Sequence, residues 1–323
     1  IRSMAKILYG LYIFFTVLQV ILLLAGGMSV FDALTTAFGT AGTGGFGIKN
    51  SSIAGYSPYI QNVVTIFMII FGVDFTLYYL LLNRKFKAAV RSDEVRTYFL
   101  IIITSIILIL FNTRGLFESI SEAIRHVSFQ VATIITTTGY ATTDFNLWPE
   151  FSKIILIILM LSGACAGSTG GGIKGSRILI LLKSIVKEVQ TSVHPRKILK
   201  IKMNGRIVAH ETVRGVNVYM AAYIVIFFSA LLLISLDNFN FTTNFTAIIG
   251  TLNNIGPGLD VVGPMGNYSG FSVFSKILFN IFSLEMFFNK VITKYKNSTN
   301  IKLHTGITYL NSIKGDAIAT NTA

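Results

Sequence analysis

The 323-residue chain predicts an all-α integral membrane protein built from repeated helix–pore-loop–helix units. Three observations carry that prediction. Hydrophobic residues make up 52 % of the chain and charged residues only 13 %, about half the charged share usual in soluble domains. Apolar runs recur along the chain, each near the roughly 20 residues that cross a bilayer. One pattern is also written three times: an apolar run, a shorter amphipathic segment, a Gly-centred polar turn and a second apolar run.

The first unit, over 1–82, has its apolar run at 6–27, an amphipathic segment at 29–40, the turn "AGTGGFGIKN" at 41–50 and a closing apolar run at 58–82. The second, over 97–190, has an apolar run at 97–111 and an amphipathic segment at 115–133. Its turn is "IITTTGYATTDF" at 134–145, and its second helix, starting at 151, is broken at 163–175. The third, over 216–288, places the same parts at 216–236, 242–252, 253–264 ("NNIGPGLDVVGP") and 271–288. A basic loop at 191–215 and a polar tail at 289–323 complete the chain. The middle segments are too short to span, so each is expected to dip into the membrane and return as extended chain. Non-helical backbone at that depth survives only where protein buries it or where it lines a watery cavity. Three such loops in register predict one shared pore.

Net charge is +13, from 27 Lys and Arg against 14 Asp and Glu. The basic residues gather in "NRKFKAAVRSDEVR" (83–96) and "HPRKILKIKMNGR" (194–206), whereas 141–151 and 236–246 hold no Lys or Arg. That asymmetry follows the positive-inside rule, so 83–96 and 178–214 are expected at the cytoplasmic face of a multi-pass membrane protein. It accounts for the charge without a nucleic-acid partner; the lipid bilayer is the partner implied. The single cysteine, Cys165, excludes an internal disulfide, and the histidines at 126, 194, 210 and 304 make no ligand pair at helical spacing. The start, "IRSMAKILYGLY", shows no signal-peptide cleavage pattern.

Aligned on their central glycines, the turns read Gly42-Thr43-Gly44-Gly45-Phe46, Thr136-Thr137-Thr138-Gly139-Tyr140 and Asn253-Asn254-Ile255-Gly256-Pro257. None carries a carboxylate, imidazole or thiol, so acid–base and nucleophilic catalysis lack their usual groups; the chain reads as a non-enzyme with no cofactor. The turns offer backbone carbonyls, with hydroxyls from Thr43 and Thr136–Thr138. Such carbonyls replace the hydration shell of a monovalent cation, and glycine lets them converge without a side-chain clash. The bland alternative is three ordinary turns.

"SGACAGSTGGGIKGSR" (162–177) looks at first like a phosphate loop. A P-loop needs Lys directly after its last glycine and then Ser or Thr. Here Ile173 follows Gly172, Lys174 comes one place late, and Gly175 follows it. The nucleotide reading fails. A run of small residues between two apolar helices reads instead as a broken helix, since each Gly costs about 1 kcal/mol relative to Ala.

These residues resemble the TrkH/TrkG/KtrB superfamily of bacterial potassium-uptake proteins. The resemblance rests on "FGTAGTGGFGIKNSSIAGYSPYIQ", "FQVATIITTTGYATTDFNLWP", "GACAGSTGGGIK" and "LNNIGPGLDVVGP" and covers about residues 5 to 278. It implies a fold of potassium-channel type, with four pore-loop repeats around one filter. The three units here correspond to the second, third and fourth. Gly45, Gly139 and Gly256 become filter glycines, and the broken helix becomes an intramembrane gate, with Ser168, Thr169, Gly170, Gly171, Gly172 and Lys174 as its candidates. It further implies K+ as the transported ion, a homodimer, a cytosolic nucleotide-binding regulatory subunit of TrkA/KtrA type docking near "VHPRKILKI", and the bacterial inner membrane as location.

Asp74 lies within the apolar run 58–82, and an acid at that depth is expected to face the pore or a basic group such as Lys174. Asp32 and Glu118 are expected to favour the starts of amphipathic helices; Asp144 and Asp260, just past two turns, either draw cations or are solvated turn residues. Two departures from the family pattern stand out. One repeat is missing from the count, which leaves open a truncated, non-transporting remnant that only associates with family subunits or the ring. The last helix, "FNIFSLEMFFNK" (279–290), also lacks the Gly-Arg expected before Leu284-Glu285-Met286-Phe287.

Overall fold

The first helix, α1 (Arg2–Ala25), has 24 residues, about 36 Å at 1.5 Å per residue, enough to cross the hydrocarbon core. The structure is a computed structural model that describes residues 2–45, 49, 51–196 and 199–283. Phe46 and the altered end of the last helix, with the polar tail, lie outside the described residues. α1 packs against α2 (Val30–Ala41) and α3 (Pro58–Gly72). Its other side carries the exposed apolar side chains Ile13, Phe14, Val17 and Ile21. Contiguous apolar exposure of this kind fits lipid, not water.

The apolar run 58–82 is not one straight span. α3 and α4 (Phe75–Leu82) meet at 88°, with Val73 extended between them. The break has a local cause: the Asp74 carboxylate accepts from the Thr76 amide (2.9 Å) and so caps a new helix. A short α5 (Phe86–Val90) follows. α6 (Asp93–Asn112) begins four residues before the apolar run that predicted it, because Ser92 accepts from the Val95 amide and Asp93 and Glu94 fill its first turn.

α7 (Ile120–Ile135) is the central element, packed against α3, α6 and α8 (Glu150–Ser162). Its start is a capping box: Ser119 accepts from the Glu122 amide, and Glu122 accepts in return from the Glu118 amide. The capping carboxylate is thus Glu122, not Glu118. After the break, α9 (Gly175–Val193) leads to a two-residue hairpin, β1 (Lys202–Met203) and β2 (Arg206–Ile207). α10 (His210–Ile234) returns across the membrane, its Val218, Val225, Phe228 and Leu232 exposed. The basic loop expected over 191–215 is therefore shortened to the residues between Val193 and His210, since the helices continue past their apolar stretches. α11 (Phe241–Leu252) and α12 (Val273–Ser283) complete the third unit.

The three amphipathic segments, α2, α7 and α11, have 12, 16 and 12 residues. At about 18 to 24 Å they stop short of the hydrocarbon core's roughly 30 Å. They lie at the centre of the molecule, with Ala33, Ala37, Val131, Ile134, Ile248 and Ile249 fully buried. Two apolar cores form around them, one uniting α1–α4, the other α6–α8, α10 and α11, and α7 contributes side chains to both.

Candidate functional site

Each central helix ends at the turn the sequence marks. Gly42, Thr136 and Asn253 cap the three C-termini in right-handed conformation, with φ, ψ of −82, −3; −83, −3; and −96, 4. The next residue is left-handed in every case: Thr43 (φ 50), Thr137 (58) and Asn254 (56). Two residues on, Gly45 (51), Gly139 (88) and Gly256 (101) are also at positive φ. Hydrogen bonds repeat in step. Thr43, Thr137 and Asn254 donate to the carbonyls of Thr40, Ile134 and Thr251, while Gly44, Thr138 and Ile255 donate to those of Gly39, Thr133 and Gly250. The alignment on central glycines is thus a geometric register, and every turn directs its first amides back onto its own helix.

Left-handed threonine is costly, on the order of 1 to 3 kcal/mol for a strained residue. It persists here because the surroundings fix it: Thr43 is 2 % exposed and Thr137 fully buried. Nothing in the local residue pattern marks this strain at the threonines. The loops also touch one another in a repeated way. A Cβ on Gly45 would overlap the Thr138 carbonyl, and one on Gly139 would overlap the Ile255 carbonyl, the equivalent position in the next loop. A Cβ on Gly256 meets no described atom within 4 Å.

The hydroxyls are largely engaged within the protein. Thr136 Oγ1 donates to the Ala132 carbonyl (2.7 Å) and lies 2.9 Å from Thr138 Oγ1; Thr43 Oγ1 bonds the Gly42 carbonyl (2.8 Å). Tyrosines brace the turns from behind. Tyr140 donates to the Thr36 carbonyl (3.2 Å), Tyr268 to the Gly256 carbonyl (2.6 Å), and Tyr223 exchanges contacts with the Asn253 side chain.

The broken helix lies directly against these turns. The Gly171 amide donates to Thr137 Oγ1 (2.6 Å), and Thr43 Oγ1 reaches the Thr169 carbonyl (3.2 Å). Lys174 Nζ donates to the carbonyls of Ser168 (3.4 Å) and Gly170, folding over its own loop. The two helix breaks also satisfy each other. The Cys165 amide donates to the Gly72 carbonyl (3.1 Å), the Phe75 amide to the Gly167 carbonyl (3.3 Å) and Thr169 Oγ1 to the Phe71 carbonyl (3.4 Å). Groups orphaned by one break thus find partners in the other, as backbone at membrane depth requires.

Asp74 packs against this loop: a Cβ on Gly167, itself at φ 81, would strike its carboxylate. Lys174 acts on that carboxylate electrostatically. The structure adds Glu94, which sequence reading passed over as part of a basic loop. Its Oε1 accepts from the amides of Ala166 (2.7 Å) and Ser176 (2.8 Å), on either side of the break. Asp144 and Asp260 serve as turn residues. Asp144 accepts from the Asn146 amide (3.0 Å), and Asp260 accepts from Thr243 Oγ1 (3.0 Å) and Asn240. Asp32 accepts from the Tyr56 hydroxyl (2.8 Å) and pairs with Lys49 (3.3 Å).

Residues 1–291 match the TrkH family model, described as a cation transport protein. Among curated proteins, the Trk system potassium uptake protein TrkH of Escherichia coli strain K12 is 34 % identical over 269 residues, which are 81 % of this chain and 55 % of that protein. TrkG of the same strain is 31 % identical, over 72 % of this chain and 48 % of its own length. The chain thus spans about half the length of the curated relatives it matches. The crystal structure of the potassium transporter TrkH from Vibrio parahaemolyticus superposes with a TM-score of 0.80 at 28 % identity, covering 88 % of this chain and 61 % of that one.

Proposed function

The chain belongs to the TrkH family of cation transport proteins, and from that premise we propose that it supplies three of the four loops of a potassium filter in a Trk-type uptake subunit. One observation carries the proposal: Gly42–Gly45, Thr136–Gly139 and Asn253–Gly256 share the same order of backbone handedness and the same hydrogen bonds. Amides turned onto the helix leave carbonyls to face away from it, as a chain of alternating handedness arranges them. Three helix C-termini end at these loops, and the partial negative charge of each favours a cation. Because the threonine hydroxyls are engaged, the carbonyls of these loops are the K+ ligands and the hydroxyls hold the loops in shape. No chemical step is involved. Binding replaces water oxygens by carbonyl oxygens, and flux requires that the replacement be reversible.

The segment 163–174 is the gate in this reading. Its hydrogen bonds with Thr43 and Thr137 support a seat across the base of the filter, and its withdrawal would open the path. Asp74 fixes the loop's first half through Gly167. The chain sits in the bacterial inner membrane with 83–96 and the hairpin at the cytoplasmic face, where a nucleotide-binding regulatory ring of TrkA/KtrA type docks on a dimer of subunits. The test is uptake of Rb+ into cells or proteoliposomes carrying the complete subunit. Saturable uptake that Gly139→Val abolishes, with protein level unchanged, is the expected result. Uptake unaffected by Gly139→Val would refute the filter assignment, and no uptake with intact ring binding would favour the non-transporting remnant.

A further inference from the structure

The two ends of the gate loop meet at a junction that one carboxylate spans. The Gly175 amide donates to the Ala164 carbonyl (3.0 Å), which brings its two ends together. Across that junction a single carboxylate oxygen, Glu94 Oε1, accepts from Ala166 and from Ser176. Ser176 lies in the first turn of α9, where unpaired amides and the helix dipole both favour a carboxylate. Behind the junction, a cavity of about 60 Å³ is lined by Glu94, Tyr98, Ser162, Cys165 and Ile178. Glu94 thus stands between the loop's base and that cavity.

The residue before Glu94 is tied to a different part of the protein. Asp93 donates its amide to Asn204 Oδ1 (2.7 Å), and its Oδ2 accepts from the Asn204 amide (3.1 Å) and from Lys183 Nζ (2.8 Å). Lys183 also donates to the Lys202 carbonyl (2.9 Å). Asn204 is the left-handed turn residue of the β1–β2 hairpin (φ 52). Asp93 and Glu94 are consecutive in the first turn of α6, so their Cα atoms are 3.8 Å apart and move together.

We infer that Glu94 is a positioning residue that sets the stance of the gate loop, and that the hairpin, gripping Asp93, is the lever through which a load on the cytoplasmic face reaches it. The inference rests on reading 163–174 as the gate. A pull on the hairpin displaces the first turn of α6, withdraws Glu94 from one or both amides and lets the loop base open into the cavity. The hairpin's hydrogen bonds to Asp93 and those of Glu94 to Ala166 and Ser176 meet in this one turn.

Cys165, the sole cysteine and 1 % exposed, is a built-in reporter of loop opening. The experiment measures its rate of modification by a water-soluble maleimide in membranes carrying the chain. Glu94→Ala is expected to raise that rate about tenfold or more, because two hydrogen bonds to the amides on either side of the break are lost. Glu94→Gln, which keeps a carbonyl oxygen for both amides, stays near the wild-type rate. Lys183→Met combined with Asn204→Gly leaves the loop and the turn's backbone conformation intact, and is expected to raise the rate severalfold. Wild-type rates in Glu94→Ala would overturn the clamp. Wild-type rates in the double variant, which alters only the outer face and remains informative if Glu94→Ala fails to insert, would overturn the lever. Faster labelling without any change in Rb+ leak through the complete subunit would sustain the clamp and lever while removing the loop's role as gate.

Discussion

Removing one hydroxyl from Thr137 tests whether the proposed gate, 163–174, is held shut by the proposed filter. Thr137 Oγ1 accepts from the Gly171 amide at 2.6 Å, and the threonine is fully buried. Thr137→Val keeps shape and β-branching, so the cost of its left-handed backbone is unchanged and only the acceptor is lost. A buried amide left without a partner costs about 1 to 3 kcal/mol. The closed state alone bears that cost, so the open population rises between about 5-fold and about 150-fold, at 1.4 kcal/mol per factor of ten. The assay is passive Rb+ efflux from proteoliposomes holding the complete subunit without any cytosolic partner. Thr137→Ser, which retains the acceptor, is the control and should match wild type. If Thr137→Val folds normally and leaks no faster than Thr137→Ser, the contact is incidental and the loop is held by other means.

Three further outcomes follow from the same geometry. In this chain Gly256→Ala should cost little beyond the roughly 1 to 2 kcal/mol of a left-handed alanine, because no described atom stands in its way. In the complete subunit, where the proposal seats a fourth loop beside it, it should abolish Rb+ uptake as Gly139→Val does; equal mildness in both would argue against that seat. Tyr268→Phe removes the donor to the Gly256 carbonyl, loosening that loop by about 1 kcal/mol. The Rb+ to Na+ flux ratio should fall, and an unchanged ratio would assign Tyr268 to packing alone. Finally, the Tyr56 hydroxyl and then Lys49 hold the Asp32 carboxyl below its ordinary range. A depressed carboxylate contributes stability above its unfolded value near about pH 4, which is lost as pH falls through the folded value. Wild type should therefore lose more thermal stability than Asp32→Asn on acidification from pH 5 to below about pH 4; parallel curves would show that the contact contributes nothing.

The sequence made the repeats legible because hydropathy, turn glycines and basic loops each repeat with the unit. Gly45, Gly139 and Gly256 fell at equivalent places since all three sit at positive φ, and at the first two a close approach between loops also tolerates no Cβ. What it hid were features set by long-range contacts. Thr43 and Thr137 look like ordinary turn residues, and nothing local marks them as left-handed. Asp74 looked like a charge within a span because Gly72 alone is a weak signal for the break at Val73; its partner is the second break, some ninety residues on. Glu94 was concealed by its neighbours Arg91 and Arg96, although Ser92-Asp93-Glu94 is a helix start that could have moved the boundary of α6 forward. The hairpin at 202–207 is too short to show a strand period, and only Asn204-Gly205 hinted at a turn.

The contacts between the three turns have a direction. Gly45 leans on the carbonyl of Thr138, and Gly139 leans on that of Ile255, so each loop is shaped by the one after it in the chain. A bulkier residue at Gly45 presses on the second loop at Thr138, and one at Gly139 presses on the third at Ile255. Genetic suppressors should inherit that polarity. A defect at Gly45 should be relieved by second changes around Thr138 and one at Gly139 by changes around Ile255, and the reverse pairings should be rare.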